Sequence, residues 1–92
     1  MRKEFVVHSD AGHAWLEVMR AELKELGIED KISGYSYQSA DGEACYLEED
    51  CDMSVFWRAY KEKQGYTLIV EDKYQDNSFV RNLPCYTMGG IG

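Results

Sequence analysis

Two short runs near the start of the chain have the residue pattern of β-strands. Lys3 to His8 is rich in β-favouring residues, and His13 to Val18 alternates polar and apolar side chains. Alternation with a period of two is typical of a half-buried strand. The segment between the two runs, Ser9 to Gly12, is rich in turn-forming residues. The pattern therefore predicts a β-hairpin over the first eighteen residues.

Helical spacing follows this hairpin. Apolar residues recur at intervals of three and four at Leu16, Met19, Leu23 and Leu26, which is the period of one helix face. We predict that this helix ends at Gly27, with Ile28 folding back on Leu23 in a Schellman motif. The sequence does not decide where this helix begins. In the alternative interpretation, Asp10 caps a helix that runs from Ala11 in place of the second strand.

A second hairpin is predicted in the middle of the chain. The runs Ile32 to Gln38 and Glu43 to Glu48 flank Ser39 to Gly42. The Asp-Gly pair in that connection favours the positive φ angles of a tight turn. Side chains two residues apart on a strand share a face, so we expect Tyr35 and Tyr37 to project together.

The clearest helical signal lies between Cys51 and Gln64. Its apolar residues fall at i, i+3, i+4 and i+7, namely Met53, Phe56, Trp57 and Tyr60. Asp50 is predicted to be the N-cap and Gly65 the terminating residue. We assign Phe56, Trp57 and Tyr60 to the hydrophobic core.

A final strand and an irregular segment complete the chain. Tyr66 to Tyr74 is predicted to be a strand whose buried stretch is Thr67 to Val70. From Gln75 onward we expect irregular structure, pinned by Phe79, Val80, Leu83 and Tyr86. The elements then follow the order ββαββαβ. This order predicts one α+β domain over residues 1–86, a small antiparallel sheet with two helices on one face, and a flexible tail over 87–92.

Composition narrows the classes of function. The chain has 92 residues, with 17 acidic and 10 basic side chains and a formal net charge of -7. Such a charge would repel a phosphate backbone, so direct binding to nucleic acid is not expected. No apolar run approaches the roughly 20 residues of a membrane span, and no export signal is visible. Three cysteines without a C-x-x-C pair are typical of reduced thiols. We therefore expect a cytoplasmic protein with no membrane partner and no cofactor.

Two motifs resemble those of a known family. Gly12 to Val18 reads G-H-A-W-L-E-V, and Tyr46 to Asp50 reads Y-L-E-E-D. The chain resembles, from Asp10 to Tyr86, a family of small proteins from phages, plasmids and bacterial genomes that share a G-H-x-W-L-x-V opening and a Y-L-E-E-D centre. A proline often follows the first motif in that family, where this chain has Met19. The resemblance implies a bacterial or phage protein, and it supplies no activity that can be carried over residue by residue.

The acidic residues are concentrated in one part of the chain. Between Lys31 and Arg58 there is no basic residue, and the six acidic residues of that interval are Asp41, Glu43, Glu48, Glu49, Asp50 and Asp52. The other eleven acids nearly balance the ten bases. A solvated turn next to an acidic helix start would explain this pattern without any function. The functional alternative is an acidic patch that imitates nucleic-acid phosphates and docks on a basic surface.

The favoured hypothesis is a non-enzymatic interaction protein. The expected contact surface combines the acidic residues Asp41, Glu43, Glu48, Glu49, Asp50 and Asp52 with the tyrosines Tyr35, Tyr37 and Tyr46. Its expected partner is a host protein with a basic surface. Carriage by a mobile element would fit an inhibitor of a nucleic-acid-targeting defence system, of the anti-CRISPR or anti-restriction type. A homodimer built from an exposed strand edge is also compatible with the sequence.

The alternative hypothesis is a small ligand-binding domain, metal-binding domain or enzyme. His8, Asp10 and His13 bracket the first turn and could present two imidazoles and a carboxylate. No established zinc spacing accompanies them. Nucleophilic catalysis by a cysteine is not favoured, because acidic neighbours surround Cys51 and Cys45 is expected to be a buried hydrophobe.

Overall fold

Five β-strands and two α-helices make up the fold of residues 3–90, which are the residues that the computed structural model describes. The elements are β1 (Glu4–Ser9), β2 (Ala14–Met19), α1 (Arg20–Glu25), β3 (Tyr37–Gln38), β4 (Ala44–Glu48), α2 (Met53–Gln64) and β5 (Ile69–Tyr74). Short 3-10 turns lie at Glu29–Lys31, Phe79–Asn82 and Met88–Gly90. With these turns set aside, the described strands and α-helices follow the predicted order ββαββαβ, and the α+β class is confirmed.

The sheet is mixed, so the prediction of an antiparallel sheet is wrong. Its strand order is β3-β4-β2-β1-β5. β1 pairs antiparallel with β2, and β2 antiparallel with β4, but β5 runs parallel to β1. The cause is the long connection through α2, which carries the chain from β4 across the sheet to its far edge. A helical crossover of this kind joins strands that run in the same direction.

One face of the sheet carries the main hydrophobic core. Strand residues on this face include Phe5, Leu16, Val18, Cys45 and Leu47, and they pack with Leu23 of α1 and with Phe56 and Tyr60 of α2. Both helices therefore cover the same face, as predicted. Phe56 and Tyr60 are buried, whereas Trp57 is only half-buried.

The other face carries a smaller cluster that the last segment of the chain covers. Trp15 and Tyr46 from the sheet pack against Val80 of the Phe79–Asn82 turn. Among the four predicted pinning residues, Val80 and Tyr86 are buried, Leu83 is half-buried and Phe79 is 41% exposed.

The first hairpin and the end of α1 match their predictions. β1 and β2 pair directly, so the alternative helix from Ala11 is excluded. α1 begins after Met19, whose backbone N–H donates to Glu22 Oε1 at 2.8 Å. At the other end Gly27 has a φ of 69°. The Ile28 N–H donates to the Leu23 carbonyl at 2.9 Å, as a Schellman motif requires.

The second hairpin is shorter than predicted. β3 contains only two residues, and the residues from Ile32 to Ser36 are not a strand. The cause is Asp52, whose carboxylate accepts hydrogen bonds from the Ser33 backbone N–H and from the Ser36 hydroxyl. These bonds hold the preceding chain in a loop instead of an extended strand.

α2 begins two residues later than predicted. Asp52 occupies the N-cap position without a side-chain capping bond, so the assignment of Asp50 as the cap is wrong. The Asp52 carboxylate is directed at the serines of the neighbouring loop instead. Gly65 ends the helix with a φ of 81°, as predicted.

The prediction of a buried stretch in the last strand is also wrong. Every residue of β5 is exposed, and in the predicted stretch Thr67 to Val70 only Leu68, just before the strand, is buried. β5 is an edge strand of the sheet, so among residues 3–90 it has a neighbouring strand on one side only.

The tail predicted over 87–92 is described as far as Gly90. The Thr87 N–H donates to Gln38 Oε1 at 3.0 Å, and the Gly89 N–H donates to Glu29 Oε2 at 3.1 Å. Ile91 and Gly92 lie outside the described residues. Over residues 3–90, no helix combines the length and the apolar character that a membrane span requires.

Candidate functional site

A buried carboxylate joins the first turn to the C-terminal segment. Asp10 accepts hydrogen bonds from the backbone N–H groups of Gly12 and His13, both at 3.0 Å. It also accepts from two nitrogens of the Arg81 guanidinium, one of them at 2.9 Å. The Arg81 guanidinium, aided by these N–H groups and opposed by desolvation, holds the pKa of Asp10 far below its usual range.

This ion pair places Arg81 above an aromatic ring. The Arg81 guanidinium carbon lies 5.5 Å from the centroid of Trp15, within the range of a cation–π contact. Asp10 neutralises the charge of Arg81 at the same time. Arg81 therefore forms one wall of the surface beside Trp15 without making that surface net positive.

A cleft of about 370 Å³ opens beside this pair. We call it the tyrosine cleft, and its lining residues are His13, Trp15, Tyr35, Tyr37, Glu48, Asp50, Cys51 and Arg81. They come from β2, from the loop and strand around β3, from the end of β4 and from the Phe79–Asn82 turn. The sheet register and the Asp10–Arg81 pair thus bring together residues that are far apart in the chain.

One side of the tyrosine cleft is acidic. Glu48 lies directly opposite Trp15 in the register of β2 and β4. Glu48 is 9% exposed, and its carboxylate, at the base of the cleft, accepts a hydrogen bond from the Asp50 backbone N–H at 2.7 Å, while the Asp50 side chain is exposed at the surface. Because Arg81 is neutralised by Asp10, these two carboxylates give the cleft a negative charge.

The other side is aromatic. Tyr35 is 73% exposed, and its backbone N–H donates to Ser33 Oγ at 3.2 Å. Tyr37 is half-buried and meets the Trp15 ring edge-on, with the ring centroids 6.2 Å apart. Aromatic faces beside carboxylates form an environment that suits an organic cation.

The nine residues predicted for a contact surface fall into four groups. Four of them line the tyrosine cleft: Tyr35, Tyr37, Glu48 and Asp50. Glu49 is exposed next to it. Asp41 and Glu43 are exposed at the opposite end of β4, and Tyr46 and Asp52 are buried. The six acidic residues therefore do not form one continuous patch.

The Asp52 side chain belongs to a buried hydrogen-bond network and not to the surface. It is 2% exposed and accepts hydrogen bonds from the hydroxyls of Ser33 and Ser36. The Ser36 hydroxyl also accepts from the Glu48 backbone N–H at 3.0 Å. This network fixes the loop that carries Tyr35 against the end of β4, so Asp52 shapes the cleft from beneath and is not available to a partner.

Tyr46 is also buried. It is 7% exposed and packs edge-on against the Phe79 ring, with the centroids 5.6 Å apart. Burial raises the pKa of its hydroxyl. It therefore supports the second face of the sheet and does not contribute to a contact surface.

The residues of the alternative hypothesis do not form a site. His8 Nε2 lies 2.7 Å from Glu17 Oε1, and its ring packs against Phe79. Asp10 is engaged by Arg81, and His13 is exposed with its ring beside Trp15. In the part of the chain that the structure describes, no group of three or more metal-ligating side chains is placed to hold an ion.

The two cysteines near this region are poor nucleophiles. Cys45 is buried, as predicted, and burial raises the pKa of its thiol to about 11. Cys51 lines the tyrosine cleft, and desolvation together with the carboxylates of Glu48, Asp52 and Asp50 raises the pKa of its thiol. Both thiols are therefore protonated near neutral pH, whereas nucleophilic attack requires a thiolate.

A second, larger groove of about 420 Å³ lies along α2. Its lining residues are Glu49, Met53, Ser54, Trp57, Arg58 and Lys61. Arg58 and Lys61 outnumber the single carboxylate, so the charge of this groove is opposite to that of the tyrosine cleft. A basic partner is therefore expected to contact the cleft and not the groove.

Three residues of the cleft were absent from the predicted contact surface, namely Trp15, Arg81 and Cys51, and His13 was assigned to the alternative site. Arg81 could not be placed from the sequence because its partner Asp10 is 71 residues away. Trp15 carries a usable signal, since a large aromatic side chain at the centre of an alternating strand favours a packed face.

Comparison with protein-family models, with curated proteins and with solved structures gives no match to this chain. The resemblance to small phage, plasmid and bacterial proteins stays a prediction.

Proposed function

We propose that the protein is a protein-binding module that receives a lysine or arginine side chain of a basic partner in the tyrosine cleft. The observation that carries the proposal is the combination of Glu48 and Asp50 with Tyr35 and Tyr37 in one cleft. Arg81, which would otherwise repel a cation, is paired with Asp10.

The size and chemistry of the cleft support a single long cationic side chain. The volume of about 370 Å³ is at the low end of small-molecule pockets. A cation above a tyrosine ring gains about 0.5 to 2 kcal/mol, and a carboxylate adds a charge-assisted hydrogen bond. A few such anchors dominate the binding energy of most protein interfaces.

The net charge supports a particular class of partner. Proteins that handle nucleic acids expose grooves of lysine and arginine, because these side chains neutralise phosphates. A chain with a net charge of -7 is attracted to such grooves over a distance that salt controls. We therefore propose a host nucleic-acid-handling protein as the partner, with inhibition of a defence nuclease as the biological role.

The test uses a fluorescently labelled peptide of alternating lysine and arginine as the probe. Fluorescence anisotropy would compare the wild type with the double variant Glu48→Gln/Asp50→Asn, which removes two charges from the cleft. The matched control is Asp41→Asn/Glu43→Gln, which removes two charges at the opposite end of β4. We expect the cleft variant to bind about fivefold or more weakly, and the control to change by less than about twofold.

Equal losses in the two double variants would mean that the peptide senses only net charge, and this would overturn the proposal. Tyr35→Ala provides an uncharged check, because Tyr35 is exposed and its truncation leaves the core intact. This variant should weaken peptide binding without lowering the melting temperature. Unchanged binding by Tyr35→Ala would remove the aromatic part of the proposed site.

A further inference from the structure

Among residues 3–90, one edge strand of the sheet is hydrogen-bonded to a further segment of the chain, and the other edge strand is not. The outer edge of β3 is covered by the C-terminal segment, since the Gln38 N–H donates to the Pro84 carbonyl at 3.0 Å and the Tyr86 N–H donates to the Ser36 carbonyl at 2.8 Å. β5 lies at the opposite edge. Among residues 3–90, no segment pairs with its outer side. The fold therefore leaves one strand edge available for a further strand.

The open edge is long and partly apolar. All six residues of β5 are exposed, including Ile69 at 38%, Val70 at 38% and Tyr74 at 59%. An exposed strand with unpaired backbone groups is a template for pairing with another chain. Charged residues occupy the centre of the strand, and they decide which chain can pair with it.

The direction of the free backbone groups follows from the β1 pairing. The Gln75 N–H donates to the Ser9 carbonyl at 2.9 Å. Because backbone groups alternate along a strand, the odd-numbered residues of β5 direct their N–H and C=O groups at β1. The groups of Val70, Asp72 and Tyr74 therefore point outward, and these three residues would form the new ladder.

We propose that two copies of this chain pair their β5 strands antiparallel, with the two-fold axis at Asp72. In this register Glu71 lies opposite Lys73 of the second copy, and Lys73 lies opposite Glu71. On the other face Val70 lies opposite Tyr74 in both halves. The pairing joins two five-stranded sheets into one continuous sheet.

Charge complementarity favours this register over the two adjacent ones with the axis at Glu71 or at Lys73. A two-fold axis normal to the sheet requires each residue to oppose one on the same face, so the axis must pass through a residue. An axis at Glu71 would oppose two glutamates and would place Val70 against Asp72. An axis at Lys73 would oppose two lysines. Opposite charges that face each other across strands are stabilising, and like charges are destabilising.

The chosen register has one unfavourable contact. The two Asp72 side chains face each other at the axis, but each carboxylate accepts a hydrogen bond from Ser9 Oγ at 2.7 Å within its own chain. Two Glu–Lys pairs and two Val–Tyr pairs offset this contact. A strand of six residues gives a small interface compared with the 1,200 Å² or more of stable complexes, so we expect a weak, concentration-dependent dimer.

Charge exchange at the edge tests the proposal by sedimentation equilibrium between about 10 µM and 1 mM protein. The single variants Glu71→Lys and Lys73→Glu each place like charges opposite each other, and each should raise the dimer dissociation constant by about tenfold. The double variant Glu71→Lys/Lys73→Glu restores both pairs and should dimerise as the wild type does. The control Lys31→Glu changes an exposed charge in the Glu29–Lys31 turn and should leave the dimer intact.

An equimolar mixture of the two single variants gives the sharpest test. The glutamates of one variant then face the lysines of the other at both positions, so a heterodimer should form although each variant alone is monomeric. A monomeric wild type at about 1 mM, or single variants that dimerise like the wild type, would overturn the proposal. β5 lies at the sheet edge opposite β3, so these outcomes are independent of peptide binding in the tyrosine cleft.

Discussion

At the scale of single residues, two part-buried ion pairs, Arg20–Glu29 and Asp10–Arg81, help to fix the fold, and each of these arginines also joins segments that are distant in sequence. Arg20 is buried and donates to the Gly42 carbonyl at 2.6 Å, to Gln38 Oε1 at 2.8 Å and to Glu29 Oε2 at 2.9 Å. Its guanidinium carbon also lies 4.7 Å from the centroid of the Tyr86 ring. These contacts tie the start of α1 to the second hairpin and to the C-terminal segment.

The sequence could not reveal these roles. Arg20 stands at the start of a short helix, where a charged residue is ordinarily solvated. The pattern of apolar residues does not indicate which charge will be enclosed when the second hairpin and Tyr86 fold over it. The same holds for Asp10, which could be identified as a turn residue but not as the partner of Arg81.

Asp10 gives a prediction about pH. Its pKa in the folded state is held below the unfolded value by Arg81, so its contribution is fully present above the unfolded pKa of about 3.9. This contribution is lost as the pH falls towards the folded pKa. We expect the melting temperature of the wild type to fall between about pH 5 and pH 2. Asp10→Asn should melt lower at pH 7 and should show a flatter decline across this window.

The matched control for this prediction is Asp76→Asn, because Asp76 is an exposed carboxylate. It should keep the pH dependence of the melting temperature that the wild type shows. Part of the acid sensitivity should survive in Asp10→Asn, since Arg20 also lowers the pKa of Glu29. An Asp10→Asn profile as steep as that of the wild type would show that Asp10 is not a source of the acid sensitivity.

At the scale of elements, the sequence predicted the features that depend on residues close together in the chain. The alternation in β2 and the end of α1 at Gly27 both follow from residues within one or two turns of chain, and both are confirmed. The length of β3 was missed because Asp52 reshapes the preceding loop from sixteen residues away through Ser36. The parallel pairing of β5 with β1 was missed because apolar periodicity carries no information about strand direction.

Gly27 gives a prediction at this scale. Its φ of 69° lies in the left-handed region, and a Cβ added there would meet no atom within 4 Å. The cost of Gly27→Ala is therefore conformational and not steric, and we expect it to lower the free energy of unfolding by about 1 kcal/mol. Urea denaturation monitored by circular dichroism would measure this change.

Gly34→Ala is the control for the glycine prediction. A Cβ at Gly34 also meets no atom within 4 Å, but its φ is not in the left-handed region. The substitution restricts the unfolded chain, so it should be neutral or stabilising by up to about 1 kcal/mol. Equal destabilisation by both substitutions would mean that the left-handed C-terminal residue of α1 does not cause the loss.

At the scale of the whole molecule, folding separates charges that are neighbours in sequence. β4 extends between Glu43 and Glu49, so the acidic interval is divided between two ends of the sheet. Asp52 is enclosed within the fold. What remains is a local acidic cleft within a molecule whose surface is negative in general. The stability of the fold and the affinity of the tyrosine cleft for a basic partner should therefore respond differently to salt.

Stability should rise with salt. A net charge of -7 destabilises the compact state by self-repulsion, which added ions screen. The exposed ion pairs Lys3–Glu22 and Lys63–Glu25 weaken under the same conditions, but exposed pairs contribute little to stability. Between 10 mM and 0.2 M NaCl, we expect a gain of about 0.5 kcal/mol, which corresponds to a rise of about 3 °C in the melting temperature.

The variant Asp41→Asn/Glu43→Gln tests whether self-repulsion causes this response. It removes two negative charges outside the tyrosine cleft, so its melting temperature should rise less steeply with salt than that of the wild type. Differential scanning calorimetry of both proteins at matched concentrations would measure how steeply each melting temperature rises with salt concentration. A melting temperature that falls with salt would mean that attractive pairs outweigh the repulsion. In that case, excess negative charge would not limit the stability of this fold.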